Sequence, residues 1–209
     1  MVPMILKQGG PVAVLLLLLA VVALTVFLER ALHLHRAQIN VAEFLNGIRT
    51  VLKRANVMEA IAICDATPGP VPRVVKAAIL SRDQGRDRVR EAVEEAGLAE
   101  VPPLERRLNL LATLCHLAPL LGLFGTILGL MDVFAQLEQQ GLYAHVTQVA
   151  GGVWRALICM GLGVGISIPA YAAYNYLVSR VHALVVDMER AAAEIVHIVT
   201  EANGKTDPS

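Results

Sequence analysis

Residues Leu110 to Met131, LLATLCHLAPLLGLFGTILGLM, form an uncharged run of 22 residues, long and apolar enough to cross a bilayer as a helix. A hydrocarbon core of about 30 Å needs about 20 helical residues, so this run spans with a little tilt in reserve. Pro119, Gly122, Thr126 and Gly129 project onto one face of that helix, with Gly125 beside them. Such a face either packs closely against another helix or lines something narrow, and Thr126 is the hydroxyl in its deepest part. A water-soluble domain has no use for such a segment.

The remaining chain repeats the pattern twice. Pro11 to Leu28 supplies 18 uncharged residues and Ala156 to Val178 supplies 23. Mean hydropathy is +0.57 and only 17% of the residues are charged, as in membrane proteins. The first run is expected to be a retained anchor, because Glu29-Arg30 follows it directly instead of a small-residue cleavage site. The fold class expected is an all-α membrane protein with three transmembrane helices and long cytoplasmic helical extensions. Residues 1–28 are the outer N-terminus and first span, 29–107 a cytoplasmic helical region, and 108–133 the second span. Residues 134–155 are a short outer link, 156–179 the third span, and 180–209 a cytoplasmic helix and tail.

The sidedness follows from lysine and arginine, which cytoplasmic loops retain. Thirteen of the 18 lie in residues 29–107 and three lie after Val178. That places the N-terminus outside and the C-terminus inside. Within 29–107, apolar positions such as Phe44, Leu45, Ile48 and Leu52 fit amphipathic helices, interrupted by the TPGPVP of Thr67–Pro72. After Pro102-Pro103, Leu104–Leu110 is expected to run into the second span as one helix.

Nothing in the soluble segments pairs a nucleophile with a base, cradles a phosphate or sets His and Glu at ligand spacing, so no enzyme, cofactor or metal site is expected. No basic-aromatic patch suggests nucleic acid. Cys64, Cys115 and Cys159 have no CxxC spacing and read as small hydrophobes. His33 and His35 fit interfacial roles; His116 reads as a packed or interfacial histidine or as a proton relay. On the third span Met160, Gly163, Ser167, Tyr171 and Tyr174 share a face that fits inter-helix packing or pore lining, and Pro169 should loosen the helix near Gly165. None of the three uncharged runs contains Asp or Glu. If this chain helps to move protons, the titratable carrier comes from another polypeptide.

The run from Glu105 to Phe134, together with IPAYAAYN at Ile168–Asn175, closely resembles the TolQ/ExbB/MotA proton-channel family. The likeness extends to Gly9-Gly10-Pro11 before the first span, the FLER after it and the three-span order, over about 190 residues. The resemblance implies a ring, generally a homopentamer, around an ExbD/TolR-like single-span partner whose membrane aspartate carries the proton. A TonB/TolA-like third component and an inner-membrane location are also implied. It assigns Thr126 to the pore. Where the family's third span has Glu and a second pore threonine, this chain has Arg155 and Met160; Ser167 lies two turns further on the same face. An alternative is a non-conducting scaffold with the same fold. A flagellar-type stator fits less well, since that branch usually has a fourth span.

Overall fold

The structure, a computed structural model, describes residues 2–54, 56–140 and 146–204. Among these every regular element is a helix. The helices are α1 (Val2–Ala37), α2 (Val41–Lys53), α3 (Val57–Ala66), α4 (Pro70–Leu80), α5 (Arg86–Glu105), α6 (Leu108–Gln140) and α7 (Val146–Gly204), with a short 3-10 turn at Arg82–Gln84. The chain divides into two compact units: residues up to Glu29 with Arg107–Leu177, and Arg30–Arg106 with the residues from Val178 onward.

The first unit holds the three apolar runs, each on a helix long and apolar enough to cross a membrane. α1 is broken at Gly10 (φ 65°, ψ −166°), and Pro11 opens the first span with its ring already at a helical φ. The interior of this unit is made of small and medium side chains, among them Ala13, Leu16, Ala118, Ala156 and Cys159. Its outside is equally apolar. Leu18, Val21, Leu120, Phe124, Leu157 and Ile168 are all exposed, an apolar surface that suits lipid or another apolar helix as its neighbour.

α6 has 33 residues and α7 has 59, so both exceed what a bilayer requires. They continue helically through most of the expected outer link; Gly141–His145 of that link lie outside the described residues. The single helix expected from Leu104 into the second span is interrupted. Arg106 keeps helical angles and Leu111 N–H bonds the Arg107 carbonyl, but Arg106 and Arg107 belong to neither α5 nor α6. α7, by contrast, runs through Pro169 without a break.

The second unit is an amphipathic helical assembly. Asn40 and Asn56 cap α2 and α3 in the same way, each side-chain oxygen accepting from the backbone N–H three residues on, while Glu43 and Glu59 return a contact to the cap amide. TPGPVP is the α3–α4 turn: Gly69 has φ 121°, and Pro70 starts α4. α4 buries Val71, Val74, Val75, Ala78 and Ile79 against its neighbours. The last part of α7 buries Val181, Leu184, Met188, Ala191, Ile195 and Ile198, spaced three or four apart. Surface ion pairs Arg73–Glu100, Lys76–Asp65 and Arg88–Glu91 decorate this unit and add little stability. Burial, reinforced by the Asp65 charge and opposed by Lys76, pushes the Cys64 thiol up to about 11, so it stays protonated and inert at neutral pH.

Candidate functional site

The feature of the first unit that carries chemistry is the seam between α6 and α7. Gly122, Gly125 and Gly129 on α6 face Ala156, Cys159 and Gly163 on α7, and all six are buried. A Cβ placed on Gly122 would lie 2.9 Å from the Cys159 carbonyl oxygen and 3.0 Å from Gly163 Cα. Backbone therefore meets backbone. On Gly125 the same atom would also reach Val12 of α1 at 2.9 Å, so the three spans converge there. Helices gain nothing from hydrophobic exclusion inside a bilayer; close van der Waals contact and hydrogen bonds hold such a seam together.

Two hydroxyls are set into it. Thr126 Oγ1 lies 2.9 Å from the Gly122 carbonyl oxygen in its own helix and 3.3 Å from the Ala156 carbonyl oxygen on α7. With a single proton, it donates to one of these at a time while its own lone pairs stay available. Ser167 Oγ donates to the Cys115 carbonyl at 3.0 Å, tying α7 back to α6 further along. Both side chains are half-buried.

The remaining residues singled out by sequence are distributed differently. Gly163 and Ser167 face α6, whereas Met160 and Tyr171 are exposed. Pro119 is half-buried on α6. Pro169 is exposed on α7, at the edge of an apolar recess of about 340 Å³ that Ala20, Leu24 and Leu111 also line. Arg155 forms an ion pair with Asp132 at 2.9 Å. Asp132 escaped the sequence reading because it follows the 22-residue apolar run by one position. The sign of its charge, opposite to that of Arg155 across a short link, was the available signal. Ala156 and Cys159 were also missed, although Gly152, Ala156, Cys159, Gly163 and Ser167 recur at steps of three and four.

Both members of the Asp132–Arg155 pair are about half exposed. A double-mutant cycle with Asp132→Asn and Arg155→Gln is therefore expected to return a coupling of at most about 1 kcal/mol in thermal unfolding. A larger value would mean that lipid desolvates the pair.

Among the described residues no group of three or more His, Cys, Asp or Glu is arranged to hold a metal. The seam can position hydroxyls and exclude bulk, but it holds no group that titrates near neutrality.

The family model of the MotA/TolQ/ExbB proton channel family matches residues 66–190, which covers α4, α5, α6 and most of α7. A biopolymer transport protein ExbB of Neisseria meningitidis is 26% identical over 210 residues, covering 92% of this chain and 94% of the relative. An ExbB-like biopolymer transport protein of Synechocystis sp. is 34% identical over 162 residues, 77% of each chain. An ExbB homolog of Methanothermobacter thermautotrophicus is 24% identical over 176 residues, and the chain spans 62% of that relative's length. A family match over more than half of the sequence, coinciding with three apolar helices and a glycine-lined seam, means that this chain belongs to the MotA/TolQ/ExbB proton channel family.

Proposed function

We propose that this chain is the ring-forming subunit of a motor driven by the proton-motive force. In this reading it assembles, as a pentamer, around an ExbD/TolR-like partner in the inner membrane, with a TonB/TolA-like component passing on the work. The N-terminus is periplasmic, and the basic 29–107 segment and the C-terminal helix are cytoplasmic, as the distribution of lysine and arginine favours. The chain is not an enzyme; its task is to guide a proton and convert the passage into movement.

The observation that carries this reading is the Thr126 hydroxyl inside a seam built mainly of glycine, alanine and cysteine, within apolar runs that contain no carboxylate. Thr126 can exchange hydrogen-bond partners without ionising, and the carboxylate that takes and releases the proton comes from the partner. A static scaffold of the same fold is the competing reading, and Met160 favours it, since a thioether cannot donate a proton. Arg155 argues for it less strongly, because Asp132 neutralises the charge.

The test is proton uptake by vesicles that contain this chain and its partner. Thr126→Val, which keeps shape and removes the hydroxyl, is expected to reduce uptake about tenfold or more with the assembly unchanged on size exclusion. Uptake equal to the parent's would remove Thr126 from the pathway. Loss of the assembly would make it a packing residue. No uptake by the intact parent assembly would favour the scaffold.

A further inference from the structure

Arg30 is the single buried charged side chain among the described residues, at 7% exposure. Its Nε–H has no hydrogen-bond partner, and among the described residues no carboxylate forms an ion pair with its guanidinium. Glu29, its neighbour in sequence, is engaged with Arg107. The charge that does act on Arg30 is a second cation, Arg106, which is exposed. Burial first, and the Arg106 charge after it, lower the pKa of Arg30 from the usual guanidinium value. A guanidinium nevertheless keeps its proton at neutral pH. A buried, unpaired cation within electrostatic reach of another cation is a costly arrangement unless an anion joins them.

Position along the chain indicates which anion is at hand. Arg30 follows the apolar run that ends at Leu28 by two residues, and Arg106 precedes the apolar start of α6 at Leu108 by two. Two helical residues rise about 3 Å, from the edge of the hydrocarbon into the headgroup layer. The two arginines stand at opposite ends of one extramembrane segment, 29–107, so they face the same leaflet. There, lipid phosphate is present at far higher local concentration than any dissolved anion.

We propose that Arg30 and Arg106 form a two-guanidinium clamp for the phosphodiester of an anionic glycerophospholipid in the leaflet on the side of the 29–107 segment. Arg106 is the exposed arm that meets the headgroup; Arg30 is the buried arm that the phosphate neutralises. Guanidinium groups suit this task because their planar donors match phosphate oxygens in pairs. The clamp depends only on the chain spanning a membrane, not on its proposed role in a motor.

The experiment is native mass spectrometry of the purified full chain in a neutral detergent, titrated with dioctanoylphosphatidylglycerol. Circular dichroism and size exclusion accompany each variant. The parent is expected to retain lipid, and Arg30→Met and Arg106→Gln to weaken retention about tenfold or more each, the weight of one charge-assisted hydrogen bond. Arg106→Gln changes an exposed side chain, so it tests the clamp even if Arg30→Met does not fold. Retention by Arg106→Gln equal to the parent's would overturn the proposal. So would inorganic phosphate displacing the lipid at equal concentration, which would point to a soluble anion. Dissociation of oligomers of folded Arg30→Met with lipid retention unchanged would overturn it too, because a neighbouring copy's carboxylate would then be the counter-ion.

Discussion

Gly163→Leu is expected to leave little or no folded protein in the membrane. A Cβ at this position would lie 2.7 Å from the Ala118 carbonyl oxygen and 2.8 Å from Gly122 Cα, both of them backbone atoms. No rotamer relieves a clash that begins at Cβ, so α6 and α7 would have to part along the seam. Overpacking typically destabilises by about 1–3 kcal/mol when side chains can adjust. Here the helices themselves must move, so about 3 kcal/mol or more is expected. Hydrogen bonds such as Ser167 to Cys115 would stretch with them. Gly163→Ala should show a smaller loss in the same direction. Gly161→Leu is the control, because nothing lies within 4 Å of a Cβ there. The measurement is the thermal midpoint and yield of detergent-extracted protein. If Gly163→Leu matches the parent, the close approach of α6 and α7 is not a feature of the molecule. Should Gly161→Leu fold normally yet fail to oligomerise, its open face is the one that other copies cover in the proposed ring.

The second large effect is expected outside the spans. Gly69→Val combines two penalties at the start of α4. The backbone there has φ 121° and ψ 173°, a region essentially restricted to glycine, which strains other residues by about 1–3 kcal/mol. The new Cβ would also lie 2.8 Å from the Ala37 carbonyl oxygen at the end of α1. Together these should destabilise the second unit by about 3 kcal/mol or more. Limited proteolysis would read this as faster cleavage between Thr67 and Pro72, and denaturant titration as a lower midpoint. Gly85→Val shares the positive φ, at 92°, but meets nothing within 4 Å, so comparison of the two separates backbone strain from collision.

Much of the architecture was legible because length and hydropathy are blunt, reliable constraints. A 22-residue uncharged run has few destinations, and the lack of carboxylates in the three apolar runs follows from letters alone. The α6 side of the seam was equally visible, since glycines around a threonine in a Leu-rich helix stand out. The α7 side was not. Ala156 and Cys159 look like ordinary apolar residues until α6 is laid against them, and Met160, next in sequence, turns outward. Arg30 was opaque for a related reason: an arginine two residues past a span reads as a side chain reaching for water, and only the tertiary structure reveals it as buried. Pro102-Pro103 suggested a break before a continuous helix, yet the interruption falls at Arg106-Arg107. The ladder of hydrogen bonds there depends on geometry that composition does not encode.

The contact between α6 and α7 also limits how this sequence can drift. Positions 122, 125, 129 and 163 already hold the smallest residue there is, and 118 and 156 hold the next. A Cβ at any of the four glycines already meets the opposite helix, so natural variation there is held to glycine, whereas 118 and 156 can exchange only among the smallest side chains. A lineage that acquired a branched side chain at one of them would need a compensating loss on the opposite helix, and the glycines opposite have nothing left to give up.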